Sequence, residues 1–201
     1  MRRIGRLGEV AEPGVSRVSL LLGYCRLVDG FNERLGFAVR WLVLVAVLIS
    51  AGNATVRYTL DTSSNAFLEI QWYLFACVFL LCAPYTLLRN EHIRIDIFTA
   101  KWPKRRLAWL DVVGGVFFLM PMAVMLMWLG WPVFLDSYQH NEISSDAGGL
   151  LRWPIKFLIP FAFFLLSAQG LSEIFKRIAF LAGAIEDYAP KAPSAHGGGS
   201  P

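Results

Sequence analysis

The ionisable residues near the apolar segments decide what chemistry this chain could perform. Carboxylates at mid-membrane depth carry protons or ions in pumps, and histidines inside membrane helices hold haem iron. Here Glu69, Asp111 and Glu173 fall near the ends of apolar segments. The histidines, in two loops and the tail, are His92, His140 and His196. The sequence therefore favours a scaffold over an enzyme, an ion pump or a haem-binding bundle.

Motifs of other catalytic or metal sites are also absent from the sequence. Cys25, Cys77 and Cys82 lack metal-ligand spacing, and the last two lie in one apolar run where we expect small buried side chains. There is no Gly-rich phosphate loop and no nucleophile motif. A carrier that binds solute midway normally has inverted repeats, which this chain lacks. We predict no catalytic residue, no metal ligand and no cofactor.

Composition identifies an integral membrane protein. Of 201 residues, 56% are hydrophobic and 17% charged, whereas a soluble domain has about 25% charged residues. The net charge of +4 could suggest nucleic acid as a partner. The basic residues flank apolar runs, however, where they set membrane topology and contact lipid. We predict membrane lipids and no nucleic acid among the partners.

Four apolar runs predict an all-α membrane protein. The predicted spans are residues 41–57, 66–88, 107–135 and 154–181. Pro121 is the expected kink of the third span, and Gly114-Gly115 is a place where another helix can approach closely. Pro154 suits the first turn of the fourth span. At the end of that span, Glu173 is spaced to pair with Lys176 or Arg177.

The distribution of basic residues predicts the topology. Sixteen of the nineteen Lys and Arg residues lie in the N-terminal segment, the middle loop and the C-terminal end, and three lie in the other two loops or at their edges. Positive loops are poorly translocated, so both termini and the middle loop are predicted to be cytoplasmic. Residues 183–201 are rich in Gly, Ala, Pro and Ser and predict a disordered cytoplasmic tail.

Residues 1–40 form the predicted cytoplasmic tail and amphipathic segment. From Val15 to Leu35, apolar residues recur at roughly helical spacing between charged ones. This pattern is typical of a helix lying in the headgroup layer. A short helix packed on the inner ends of its neighbours fits it equally well. Asp29 falls close to the apolar side, and Gly30 is expected to break the helix.

The densest charged stretch inside the hydrophobic part is the loop between the second and third spans. Arg89, Glu91, His92, Arg94 and Asp96 alternate in charge around Ile93, Ile95 and Ile97. Most charge runs are solvated turns that contact lipid phosphates. Mixed charges in a short loop can also pair with each other and with neighbouring helix ends, which would determine how the two spans sit together.

At these residues the chain resembles a family. Arg89–Asp96 is similar to the signature loop of the small permease (Q-type) subunit of TRAP transporters, the tripartite ATP-independent periplasmic carriers. The resemblance extends to Asn65–Tyr73 and Gly148–Pro154, and it covers roughly Arg40 to Phe180.

The resemblance implies a scaffold role in the bacterial inner membrane. In that family the small subunit packs against a large permease that uses a sodium gradient, and a periplasmic binding protein delivers an organic acid. The small subunit is expected to help dock that protein. The resemblance makes Arg89, Glu91, His92, Arg94 and Asp96 structural loop residues. Two further residues, Glu69 and Trp72, become helix-interface candidates.

One alternative remains open from the sequence. A helix bundle without an active site could be an accessory scaffold subunit of another bacterial inner-membrane complex, respiratory or photosynthetic. Nothing in the sequence names that partner. Copurification with pigment- or haem-bearing subunits would favour this alternative, and copurification with a large permease would favour the TRAP carrier.

Overall fold

The computed structural model describes residues 13–61, 65–90, 102–146 and 149–185. The helices are α1 (Pro13–Leu60), α2 (Asn65–Arg89), α3 (Lys104–Gly114), α4 (Met120–Gln139) and α5 (Trp153–Leu181). A π-helical turn, Gly115–Leu119, joins α3 to α4, and the three together form one rod, the third span (Lys104–Gln139).

Four rods are long and apolar enough to cross a membrane: Leu20–Leu60 within α1, then α2, the third span and α5. Within the described residues, β-structure is limited to one bridge between Ile143 and Leu151. The predicted all-α fold with four spans is therefore confirmed. The cytoplasmic position of the termini stays a prediction.

The first rod is longer than its predicted span. α1 runs without interruption through Gly30, so the predicted break there is wrong. A glycine costs about 1 kcal/mol inside a helix. Asp29 and Asn32, on either side of Gly30, both hydrogen-bond to α5, and these contacts offset that cost. The predicted 41–57 span lies within α1.

The N-terminal part of α1 crosses α5. The Tyr24 hydroxyl donates to the Ala168 carbonyl at 3.0 Å, and Asn32 Nδ2 donates to Gln169 Oε1 at 2.7 Å. Tyr24 and Asn32 are eight residues apart, about 12 Å along α1. Their partners, Ala168 and Gln169, are adjacent in α5. This part of α1 therefore lies across α5, as a helix packed on its neighbours would. Its place in the headgroup layer stays a prediction.

The third span departs from regular α-helix just before Pro121. A proline has no N–H, and its ring crowds the carbonyl four residues earlier. The wider π-helical turn at Gly115–Leu119 accommodates both effects at the place where the sequence predicts a kink. Gly115 meets α5 there: a Cβ at Gly115 would lie 2.9 Å from Ile174 Cγ1, whereas Gly114 faces open space. The close approach predicted for this glycine pair is made by Gly115.

The last helix occupies the centre. α5 begins with Pro154 in its first turn, as predicted, and packs against α1, α2 and the third span. Among the described residues it contributes more buried positions than any other helix, from Pro160 to Arg177. The third span has α5 as its principal neighbour among the described residues. Two grooves run along α5. One lies between the third span and α2, and the other lies between the third span and α1.

Candidate functional site

Glu69 near the start of α2 binds the loop between α4 and α5. Its carboxylate accepts hydrogen bonds from the backbone N–H of Leu150 at 2.6 Å and from the hydroxyl of Ser144. Arg152 Nη2 donates to the same hydroxyl oxygen at 3.2 Å. The Glu69 side chain is 3% exposed. Because a charged acceptor strengthens each hydrogen bond, Glu69 anchors this loop to α2.

The loop is a short hairpin around that anchor. The Ser144 N–H donates to the Leu150 carbonyl at 3.0 Å, and the Arg152 N–H donates to the Glu142 carbonyl at 2.8 Å. Lys156 Nζ also donates to the Glu142 carboxylate. This hydrogen bond is the main cause that holds the pKa of Glu142 below its ordinary value. The charged contacts therefore join the hairpin to the first turn of α5.

Trp72 lies on an outward face of α2. It is 45% exposed, and its ring meets the Tyr73 ring edge-on at 4.7 Å between centroids. The Tyr73 hydroxyl in turn donates to the Leu151 carbonyl of the hairpin at 3.1 Å. Within this chain, Glu69 and Tyr73 therefore contact the hairpin, and Trp72 is available to a neighbour. Contact of Glu69 or Trp72 with a partner subunit stays a prediction.

At the other end of α2, Arg89 connects two helices. Its guanidinium pairs with Glu33 of α1 and lies 5.6 Å from the centroid of the Tyr85 ring. Glu33 lies in the interior of α1, so this pair joins the end of α2 to the middle of another helix and not to a helix end. Four further residues of the signature loop lie outside the described residues: Glu91, His92, Arg94 and Asp96.

A buried polar cluster joins α1 to α5 near the same end. Gln169 is fully buried; it accepts from Asn32 and donates to Asp29 Oδ1 at 2.9 Å and to Glu173 Oε1 at 3.1 Å. Ser172 donates to Asp29 at 3.0 Å, and Lys176 pairs with both Asp29 and Glu173. Buried polar groups are costly unless they are bonded, so this cluster determines how α1 seats on α5.

Arg177 extends the cluster to the third span. Its Nε donates to Asp111 Oδ2 at 2.8 Å, and its Nη1 pairs with the Glu173 carboxylate. The Arg177 residue is 5% exposed. The predicted pairing of Glu173 with Lys176 or Arg177 is confirmed, and it occurs with both. Arg177 therefore links the third span to the same carboxylate that holds Lys176.

The sequence contained two signals of this cluster. Asp29 lies on the apolar side of its segment, and α5 carries a polar stripe at i, i+4 and i+7/i+8: Gln169, Glu173, Lys176 and Arg177. The sequence interpretation placed Glu173 at a helix end and gave Asp111 no partner. The pairing of Asp29 and Asp111 with α5 required the tertiary structure.

The cysteines form no site in the described part of the chain. Cys25 is buried and contacts the Ser172 carbonyl, with 3.6 Å between sulfur and oxygen. Cys77 and Cys82 are only half-buried, so their predicted burial is partly wrong. Among the described residues, no group of three or more His, Cys, Asp or Glu side chains is placed to hold a metal ion.

Comparison with known proteins identifies the family. Residues 46–180, more than half of the chain, match the family model described as "Tripartite ATP-independent periplasmic transporters, DctQ component". Neither the curated proteins nor the solved structures gave a match. The family is a multi-pass component of the inner membrane and a transporter component, which agrees with the four apolar rods. This chain belongs to the DctQ family, the small permease component of TRAP transporters.

Proposed function

We propose that this small permease subunit is a static support for a large, sodium-coupled permease that imports an organic acid delivered by a periplasmic binding protein. The single observation that carries the scaffold role is the ion-paired cluster around Arg177 and Glu173. It connects α1, the third span and α5 through buried and part-buried contacts. Pairs of this kind are costly to break, so the rods keep one arrangement while the permease moves.

The exposed faces of the rods support a membrane partner. Phe118 and Trp128 are each 75% exposed on the third span, and Phe79 is 79% exposed on α2. In the membrane these faces meet lipid or protein. The third span has only α5 as a principal neighbour in the described chain, so most of its surface is available to a large permease.

The hairpin held by Glu69 supports a second role, in docking the binding protein. Under the predicted topology it lies on the periplasmic side, and it presents Ile143 and Leu151 to solvent. Hydrogen bonds hold its described backbone, and this lowers the entropy cost of binding. We propose that this hairpin helps receive the loaded binding protein and that the large permease binds the solute and sodium.

The test is extraction of the tagged full-length chain from its native membrane in mild detergent. A permease of many spans in equal amount supports the proposal, and haem- or pigment-bearing subunits in its place contradict it. Reconstituted vesicles then separate the roles. Uptake should need the permease, this chain and the binding protein together, and uptake by this chain alone would contradict a scaffold role.

A further inference from the structure

A groove with a charged end lies on one face of α5. It is bounded by Leu87 of α2, by Leu110, Gly114, Phe118 and Met122 of the third span, and by Gly170 and Ile174 of α5, and its volume is about 510 Å³. That volume falls in the range of ligand pockets, about 300–1,000 Å³. Apart from three charged residues at one end, the lining is apolar or glycine, so the rest of the groove suits a hydrocarbon chain.

The charged groups lie at one end of the groove. Asp111 and Arg177 line the end far from Met122, and Glu173 lies between them and Gly170, one turn along α5. The two carboxylates are already paired with Arg177. This division of the groove fits an amphipathic occupant, with its polar head beside the charged end and its apolar part along the remaining walls.

The sign of the head follows from the first turn of α3. Arg106 is exposed and shares a helix face with Leu110 and Gly114, at i+4 and i+8, both of which line the groove. Side chains on a helix lean toward its N-terminus, so the position of Arg106, one turn before Leu110, places its long side chain beyond that end of the groove. Lys104 and Arg105 add positive charge on the same turn, and Asp111 is the sole acid of α3.

We propose that this groove binds one anionic phospholipid, with an acyl chain along Leu110, Gly114 and Phe118 and its phosphate beside Arg106. The apolar walls take the chain, and the basic turn selects an anionic head over a zwitterionic one. This inference does not depend on the identity of the permease or its solute, because it concerns this chain and the lipid around it.

The experiment titrates the purified full-length chain with phosphatidylglycerol or phosphatidylcholine of identical acyl chains and counts bound lipids by native mass spectrometry. The parent should retain one phosphatidylglycerol and bind it several-fold more tightly than phosphatidylcholine. Arg106→Gln should weaken phosphatidylglycerol binding about fivefold, the effect of one basic residue near a membrane surface. It should leave phosphatidylcholine binding unchanged. Equal binding of the two lipids by the parent, or no effect of Arg106→Gln, would overturn the proposal.

A second variant tests the apolar walls. A Cβ at Gly114 meets nothing within 4 Å, so Gly114→Leu has room at its first side-chain atom; by taking up space in the groove it should weaken binding of both lipids. The matched controls are Arg34→Gln, an exposed cation of α1, and Gly52→Leu, whose Cβ is equally unobstructed. Both controls should bind like the parent. Unchanged binding by Gly114→Leu would contradict the proposal. So would a disulfide cross-link from Phe118→Cys to a copurified subunit with no lipid retained, because the groove would then be a protein interface.

Discussion

Gly36 of α1 lies directly against the ring of Tyr85 of α2. A Cβ at Gly36 would come within 2.5 Å of Tyr85 Cδ2 and 2.6 Å of Cγ. Cγ lies on the axis about which the ring turns, so turning the ring does not relieve this contact. Arg40, one turn further along α1, lies 3.5 Å from the Tyr85 hydroxyl. The α1–α2 pair therefore depends on a residue without a side chain, at the level where Arg89 pairs with Glu33.

Gly36→Ala should separate α1 from α2 and lower the free energy of unfolding by about 1–3 kcal/mol, the usual cost of overpacking. Denaturation in mixed detergent micelles, followed by circular dichroism, measures the change. The control on the same helix is Gly30→Ala, whose Cβ meets nothing within 4 Å. Alanine is a better helix former, so the control should gain about 0.5–1 kcal/mol. Equal stability of the two variants would contradict the close packing.

Glu69→Gln should loosen the hairpin between α4 and α5. The amide has one neutral oxygen in place of two charged ones, so it cannot serve both Ser144 and Leu150 equally well. Hydrogen bonds to charged groups contribute about 1.5–3 kcal/mol. The measurement is the rate of protease cleavage between Asn141 and Leu151, which should rise. If the two side chains act together, Ser144→Ala made in the Glu69→Gln background should raise the cleavage rate little further. Full additivity would mean that they act independently.

Arg177→Met should be the most destabilising single change in the polar cluster. It removes this cation from the buried carboxylate of Glu173 and the part-buried one of Asp111, and breaking a buried pair costs about 3–5 kcal/mol. Removing a carboxylate together with the cation, in Asp111→Asn with Arg177→Met, should recover part of that loss. Arg34→Gln on the surface of α1 is the control and should change stability by less than about 0.5 kcal/mol. An Arg177→Met variant with unchanged stability would refute the linking role.

The pair between Glu142 and Lys156 should make the hairpin sensitive to acid. The Glu142 pKa is lowered in the folded chain below its ordinary value of 4.5. A lowered carboxyl pKa stabilises the fold above its unfolded value, and this contribution is lost as pH falls through the folded pKa. The melting temperature of the parent should therefore exceed that of Glu142→Gln near pH 6. The difference should shrink steadily below pH 4.5. A difference independent of pH would exclude the pair as its cause.

Several features were predictable from local patterns. The four rods follow from apolar length, because only a helix satisfies its backbone in lipid. Pro154 in the first turn of α5 and the pairing of Glu173 with Lys176 and Arg177 follow from helix geometry, since residues three and four apart share a face. The π-helical turn before Pro121 follows from the N–H that proline lacks. The family followed from the stretches around Glu69 and Arg89, which the DctQ match then covered.

The tertiary structure alone decided how these rods meet. α1 passes through Gly30 because Asp29 and Asn32 are held by α5, and no local pattern contains that contact. Asp111 and Arg177 are 66 residues apart in the chain, and Glu69 and Leu150 are 81 apart. Local sequence determines which helices form, because backbone hydrogen bonding and apolar length act within one segment. Partners for buried charges come from distant segments, so only the folded arrangement of the helices determines them.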